Sequence, residues 1–251
     1  MNVSQLAQQE DQKIIYSDSD GQPMADNTKQ FDWITNIVSN LRTLYQDDPN
    51  VFVAGDLLWY PVKGNNGIRR SPDAMVAFGR PKGHRGSYQQ WLEDDIAPQV
   101  VFEIRSPGNT DSEMEKKFKF YQDYQVEEYY LYDPDKGQVK GWIRGGGQLR
   151  RIASMKGWQS KRLGIRFELK DKELYLYHPD GKPFTSHQEE TKRADVAAKR
   201  AQEEAKARET EKQRADAAAK RAENAEAKLA RLQSLLAQKG LSLDEILVNG
   251  Q

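Results

Sequence analysis

The 251-residue chain contains no cysteine, which excludes a disulfide framework, a thiolate metal site and a cysteine nucleophile. That absence fits a reducing compartment. The first fifteen residues, MNVSQLAQQEDQKII, hold no apolar run of the kind a signal peptide needs. A cytoplasmic protein is therefore expected. No run of eighteen apolar residues occurs anywhere, so no membrane span is expected either. Excess charge is also lacking. Lysine plus arginine equals aspartate plus glutamate at 38 each, so there is no overall pull toward a polyanion, and any contact with nucleic acid must use a local patch.

What the chain does have is distributed unevenly. All five tryptophans, all eleven tyrosines and nine of the ten prolines precede Lys182. From Glu189 to Lys228 the sequence is an Ala/Glu/Lys/Arg run with 11 basic and 10 acidic residues and no glycine or proline. Such residues are good helix formers, and the helix is expected to stop near Gly240. ADVAAKRA at 194–201 recurs as ADAAAKRA at 215–222, an offset of 21 residues, or three heptads. Ala194, Ala198, Ala201 and Ala205 keep the four-and-three spacing of a seam, and Leu229, Leu232 and Leu236 close it. Alanine buries little apolar area, so two readings remain: a self-associating coiled coil giving a dimer, or a solvated helix sustained by i,i+4 charge pairs. The expected organisation is an N-terminal extension over 1–24, a globular domain over 25–183, a charged helix over 184–240 and a C-terminal tail over 241–251.

Within the globular part the periodicity alternates between helical and extended. Phe31, Ile34, Ile37, Val38, Leu41 and Leu44 form a core-facing helical stripe, broken by Asp47-Asp48-Pro49-Asn50. VFVAGDLLWY (51–60) and SPDAMVAF (71–78) read as antiparallel strands around the KGNNG turn. After a long loop, QVVFEIRS (99–106) reads as a buried strand, Asp111 to Tyr124 as a helix, and EEYYLYD (127–133) as a strand parallel to the previous one. Two hairpins follow, turning at Gly145-Gly146-Gly147 and at Asp171. The fold class is α/β (α+β): helix, three strands, helix, strand and trailing hairpins.

Two carboxylates interrupt these apolar strands. Asp73 follows Ser71-Pro72, and Glu103 sits inside Val100-Val101-Phe102-Glu103-Ile104. Burying an unpaired carboxylate costs several kcal/mol. Each is therefore exposed at a strand end, paired, or bound to a metal. Carboxylates on neighbouring strands suit Mg²⁺, which keeps several waters and needs few protein ligands. Arg105 follows Glu103 by two and leaves the same strand face. Taken alone, this spacing occurs by chance in many proteins.

The order of elements, however, is that of the PD-(D/E)XK nuclease core. Over roughly residues 25–180 the chain resembles the Uma-type family of restriction-endonuclease-like proteins, abundant in cyanobacteria. The resemblance is carried by FDWITNIVSNL, DDPNVFVAGDLLWYPV, SPDAMVAFGRPKGHRGSYQQW, IAPQVVFEIRSPGNT, EMEKKFKFYQDYQVEEYYLYDP and LGIRFEL, and the charged coil also looks like tails found there. It implies a restriction-endonuclease-like fold and a Mg²⁺- or Mn²⁺-dependent endonuclease acting on DNA. Asp73 and Glu103 match the family's metal carboxylates. Lys117, on the following helix, matches its lysine and shares a face with Glu113 and Tyr121. Arg105 departs from the pattern, standing where relatives carry an apolar residue; it can clamp phosphate but not act as a base.

The other polar and aromatic features have simpler readings. Asp56 reads as a strand or turn residue with a supporting role at most, and His84 as an exposed loop residue. Tyr129, Tyr130 and Tyr132 read as sheet packing rather than a base-stacking platform. The alternative function is a catalytically weak or inactive nuclease-fold scaffold acting through its coiled coil, since fold alone does not fix function.

Overall fold

The structure, a computed structural model, describes residues 14–239. The chain divides between His187 and Gln188 into two compact units.

The first unit opens on α1 (Thr28–Leu44), capped by the Asn27 side chain, which accepts the Gln30 N–H at 2.9 Å. Ile34, Ile37, Val38 and Leu41 bury its core face, whereas Phe31, assigned to that stripe by its spacing, is exposed. Two polar residues are buried on α1 instead. The Gln30 side-chain amide donates to the Ile104 carbonyl at 2.9 Å, and that of Asn40 donates to the Thr185 carbonyl at 2.9 Å. Both buried amides thus find backbone acceptors.

A six-stranded mixed sheet carries the fold in the order β1 (Val51–Ala54), β3 (Ala74–Phe78), β5 (Val100–Ile104), β6 (Glu128–Asp133), β7 (Gln138–Gly145) and β8 (Gln148–Arg151). β5 and β6 are parallel, joined through α2 (Asp111–Asp123), and the other neighbours are antiparallel. The apolar runs of β1, β3 and, but for Glu103, β5 follow from burial on both faces. On one face α1 and the hairpin of β9 (Arg166–Lys170) and β10 (Glu173–Tyr177) enclose Val53, Val76, Phe102, Tyr130 and Phe167. On the other, α2 covers Met75, Val101, Tyr129 and Leu131. Tyr129, Tyr130 and Tyr132 are all buried, which makes them packing residues.

The segment 51–60 is not one strand. A Cβ at Gly55 would lie 2.8 Å from Val38 Cγ2 and 3.2 Å from the Asp73 carbonyl oxygen, so the chain approaches α1 more closely than any side chain permits. Asp56 then adopts a left-handed φ of 49° and turns the chain away. β2 (Trp59–Tyr60) leaves the main sheet and pairs in parallel with β4 (Tyr88–Gln89). β4 lies inside the segment expected to be a plain loop, which also contains a 3-10 turn at Gln90–Leu92. Short pairings of this kind leave no periodicity to read.

The first unit also takes in residues at both ends of the expected domain. Tyr60 Oη donates to the Ser17 carbonyl at 3.0 Å, and the Tyr16 ring packs edge-on against Tyr60 with centroids 5.2 Å apart. The Phe184 N–H donates to the Leu176 carbonyl at 2.8 Å, and Thr185 is held by Asn40. All of α3 (His187–Gln238) but its first residue lies in the second unit; its 52 residues make it about 78 Å long at the α-helical rise. Val196, Leu229, Leu232 and Leu235 are exposed along it, and Leu236, expected in the seam, is half-exposed. Among the described residues no helix is long and apolar enough to cross a membrane.

Candidate active site

β3 and β5 pair with Ala74 opposite Phe102 and Met75 opposite Val101. One further step along that register sets Asp73 opposite Glu103. Residues facing each other across a pair share a sheet face, here the face covered by α2. Ser71-Pro72 delays the start of β3 until Ala74, so Asp73 stands at the strand's entrance. Its Oδ2 accepts the Ile104 N–H at 2.6 Å, while Oδ1 makes no hydrogen bond among the described residues.

Glu103 is 1% exposed and fully engaged. Lys117 Nζ, reaching down from α2, lies 2.5 Å from Oε2, and the Tyr121 hydroxyl donates to Oε1. α2 presents both groups because Lys117 and Tyr121 are four apart, one turn along the same face. Its start is fixed by a capping box: Thr110 Oγ1 accepts the Glu113 N–H at 3.2 Å, and Glu113 accepts the Thr110 N–H at 2.8 Å. Tyr121 is itself clamped between aromatic rings, near-parallel to Trp59 and 5.1 Å from Tyr129 between centroids.

The electrostatics follow from this enclosure. Burial, then the neighbouring Glu103 charge, pushes the Asp73 carboxyl well above the usual carboxylate range. Burial opposes the charge on Lys117, but Glu103 and Asp73 outweigh it and hold the ammonium above its ordinary pKa. Burial, reinforced by Glu103, raises the Tyr121 hydroxyl far above the ordinary phenol value, so Tyr121 remains a donor.

Asp73 and Lys117 line an open cleft of about 580 Å³, with Asp56 and Ser71 beside them. The Ser71 hydroxyl donates to Asp56 Oδ1 at 2.8 Å, and burial raises the Asp56 carboxyl despite that bond. The lining also includes Asp20 and Met24, from the expected N-terminal extension, and Asp26, just inside the expected domain. Asp26 accepts a hydrogen bond from Ser106 Oγ.

The structure thus brings Asp73, Glu103 and Lys117 together and leaves Arg105 apart. Strand alternation holds only as far as Ile104, where β5 ends. Beyond it Arg105 Nη2 lies 2.7 Å from Asp111 Oδ1 and donates to the Asn109 carbonyl at 3.1 Å, bracing the loop into α2. It lines a separate small depression with Lys136 and Lys140. His84 is exposed on its loop, as expected. Sequence reasoning missed Tyr121 as the second partner of Glu103, although its spacing from Lys117 was visible. It also missed Arg69 and Arg70, which line the cleft just ahead of Ser71.

No group of three or more His, Asp or Glu suited to a metal occurs among the described residues. Two opposed carboxylates, one with an oxygen unengaged beside an open cleft, nonetheless fit a hard divalent cation that retains most of its waters.

A mixed sheet carrying opposed acidic residues on its central antiparallel pair, beneath a helix-borne lysine, is the core of a restriction-endonuclease-like α/β fold. The chain belongs to the Uma2 family, described as "Putative restriction endonuclease", whose model matches residues 3–169. Among solved structures it is similar to one described as "a putative nuclease belonging to DUF820" from Anabaena variabilis ATCC 29413. The identity is 16%, over 55% of this chain and 74% of that one, with a TM-score of 0.41. No curated protein matches the chain.

Proposed function

We propose that this protein is a Mg²⁺-dependent DNA endonuclease of restriction type, hydrolysing phosphodiester bonds. The observation that carries the reading is the Asp73–Glu103–Lys117 cluster beside an open cleft, in a chain of a restriction-endonuclease family. Asp73 and Glu103 would hold the ion, Mg²⁺ or Mn²⁺, through carboxylate oxygens. When bound, such an ion supplies Lewis-acid stabilisation of phosphoryl charge and a water of lowered pKa.

The chain's own residues supply the rest. Lys117 keeps its proton and presents positive charge beside the carboxylates, where it stabilises negative charge developing on a phosphodiester. Tyr121 donates to Glu103 and fixes the orientation of its carboxylate. Arg105 is occupied by Asp111 and takes no part. The cysteine-free composition fits a cytoplasmic setting.

Plasmid nicking in Mg²⁺ against EDTA tests the reading. Asp73→Ala and Glu103→Ala should each cut cleavage by a hundredfold or more, on the order of the loss seen when positioned transition-state charge is removed. Their circular dichroism should remain that of the wild type. Cleavage that survives both substitutions would move the site elsewhere. The exposed leucines of α3 favour a second reading, a nuclease-fold scaffold working through its helix. Absence of cleavage and of metal binding on every DNA tested would favour that one.

A further inference from the structure

The carboxylates of the cleft are engaged by donors of their own, whereas two of its cations lack anionic partners. Asp26 accepts from Ser106, Asp56 from Ser71, Glu113 from Thr110, Asp73 from Ile104 and Asp20 from the Gln22 N–H. Arg69 and Arg70 line the same cleft, half-buried. Arg69 Nη1 donates to the Asn66 carbonyl at 3.4 Å, and Arg70 Nη1 donates to the Arg69 carbonyl at 2.7 Å. A guanidinium carries five N–H donors, and no carboxylate lies within ion-pair distance of either one among the described residues. Other half-buried arginines of this unit are saturated: Arg80 and Arg85 share Glu93, Arg105 takes Asp111, and Arg144 donates to the carbonyls of Val126, Gly147, Tyr121 and Gln122.

Both side chains are positioned from below. The Arg70 backbone bridges to Trp59, its carbonyl accepting the Trp59 N–H at 2.8 Å and its N–H donating to the Trp59 carbonyl at 3.2 Å. Arg70 Cζ lies 5.5 Å from the Phe120 ring centroid, and Arg69 Cζ lies 6.0 Å from that of Tyr60. Stacked aromatic faces hold a guanidinium while leaving its N–H edge available. Partial burial strips water from these groups, and an anion with paired oxygens restores what is lost.

We infer that Arg69 and Arg70 form a phosphate-binding pair that takes a phosphodiester in the cleft beside Asp73. That the phosphodiester belongs to DNA rests on the nuclease reading; that the pair binds phosphate does not.

The test uses the full chain and two probes. Thermal melting in EDTA compares inorganic phosphate with chloride at matched ionic strength. A short fluorescent DNA duplex is then titrated at several salt concentrations. Phosphate should raise the melting temperature of the wild type and leave that of Arg69→Ala/Arg70→Ala unchanged. Arg69→Lys/Arg70→Lys, which keeps stems and charge but not the planar forks, should keep only part of the effect and guards against a folding defect in the alanine pair. Duplex binding by the alanine pair should lose salt dependence by about 0.9 in log–log slope for each phosphate contact removed. Equal phosphate stabilisation in wild type and the alanine pair, or none in the wild type, would overturn the assignment. An arginine-dependent phosphate effect with no duplex binding would uphold the pair as a phosphate site and count against DNA as the substrate.

Discussion

Asp73 is buried opposite Glu103, and ionising both sets like charges together where water screens them poorly. The sign of the resulting pH dependence follows. With its carboxyl held well above the usual range, native Asp73 keeps a proton that the unfolded chain has already released. Stability from this group therefore falls as pH rises from the ordinary aspartate value of about 3.9 toward the raised native one. Asp73→Asn removes that loss and retains an oxygen for the Ile104 amide. In EDTA at mildly alkaline pH the variant should melt higher than wild type, by about 2–4 °C per kcal/mol relieved, and the gap should close in acid. An equal or lower melting temperature would show that Asp73 is no burden on the fold. Stabilisation by Mg²⁺ should run the other way: saturation at a hundred times Kd contributes about 2.7 kcal/mol, and Asp73→Asn should abolish it. Among the cations, Lys117→Ala should be severe and Lys117→Arg partly tolerated. Arg105→Leu should change cleavage little, because Arg105 faces Asp111. A dead Arg105→Leu beside an active Lys117→Ala would reverse the assignment.

At the scale of elements, the helices and central strands were legible because each carries its own period. α2 is readable from the helical spacing of Met114, Phe118 and Tyr121, and β5 from the apolar run Val100-Val101-Phe102 with Ile104. The split of 51–60 was hidden because it depends on Val38, a residue from another element packed against Gly55. Another interaction between distant elements involves Glu128 at the start of β6. This buried carboxylate accepts from Tyr130 Oη at 2.8 Å, from the Lys161 N–H at 2.9 Å and the Arg162 N–H at 3.0 Å, and from Ser160 Oγ. It ties β6 to the turn that leads into β9, with Leu163 and Ile165 packing beneath. Hydrogen bonds to a charged group contribute about 1.5–3 kcal/mol. Glu128→Gln, which loses the charge and turns an amide NH₂ toward donors, should lower urea stability by at least that of one such bond. Unchanged stability would mean that the turn is held by its apolar residues alone.

For the whole molecule, the two units differ in what they can bury. The first has aromatic and aliphatic cores on both sheet faces, whereas α3 carries alanines, charges and a few exposed leucines. The sequence suggests ending a fragment near Pro183. The structure moves that point to His187, because Phe184 and Thr185 bond to Leu176 and Asn40. The fragment 1–187 should melt cooperatively and keep its Mg²⁺ response; aggregation or a broad melt would show that the first unit needs the helix. Sedimentation of full-length protein should give a dimer and that of the fragment a monomer, the exposed Leu229, Leu232 and Leu235 supplying the apolar contact that the alanines do not. Equal monomeric masses would leave α3 a solvated helix.

The sequence by itself determined the class of fold and the change of composition between Lys182 and Glu190, and it singled out Asp73 and Glu103 as carboxylates interrupting apolar strands. Those depend on local period, composition and the matched blocks of a family, all of which survive without coordinates. Only the tertiary structure decided which cation meets Glu103, that Tyr121 is its second partner, and that Asp26, Arg69 and Arg70 share the cleft with Asp73. Arg105 and Lys117 were both candidates in the sequence, two and fourteen positions from Glu103, with only the family resemblance to favour Lys117. They were separated by where β5 stops and which face α2 turns to the sheet, because a side chain's partner is set by packing between elements and not by distance along the chain.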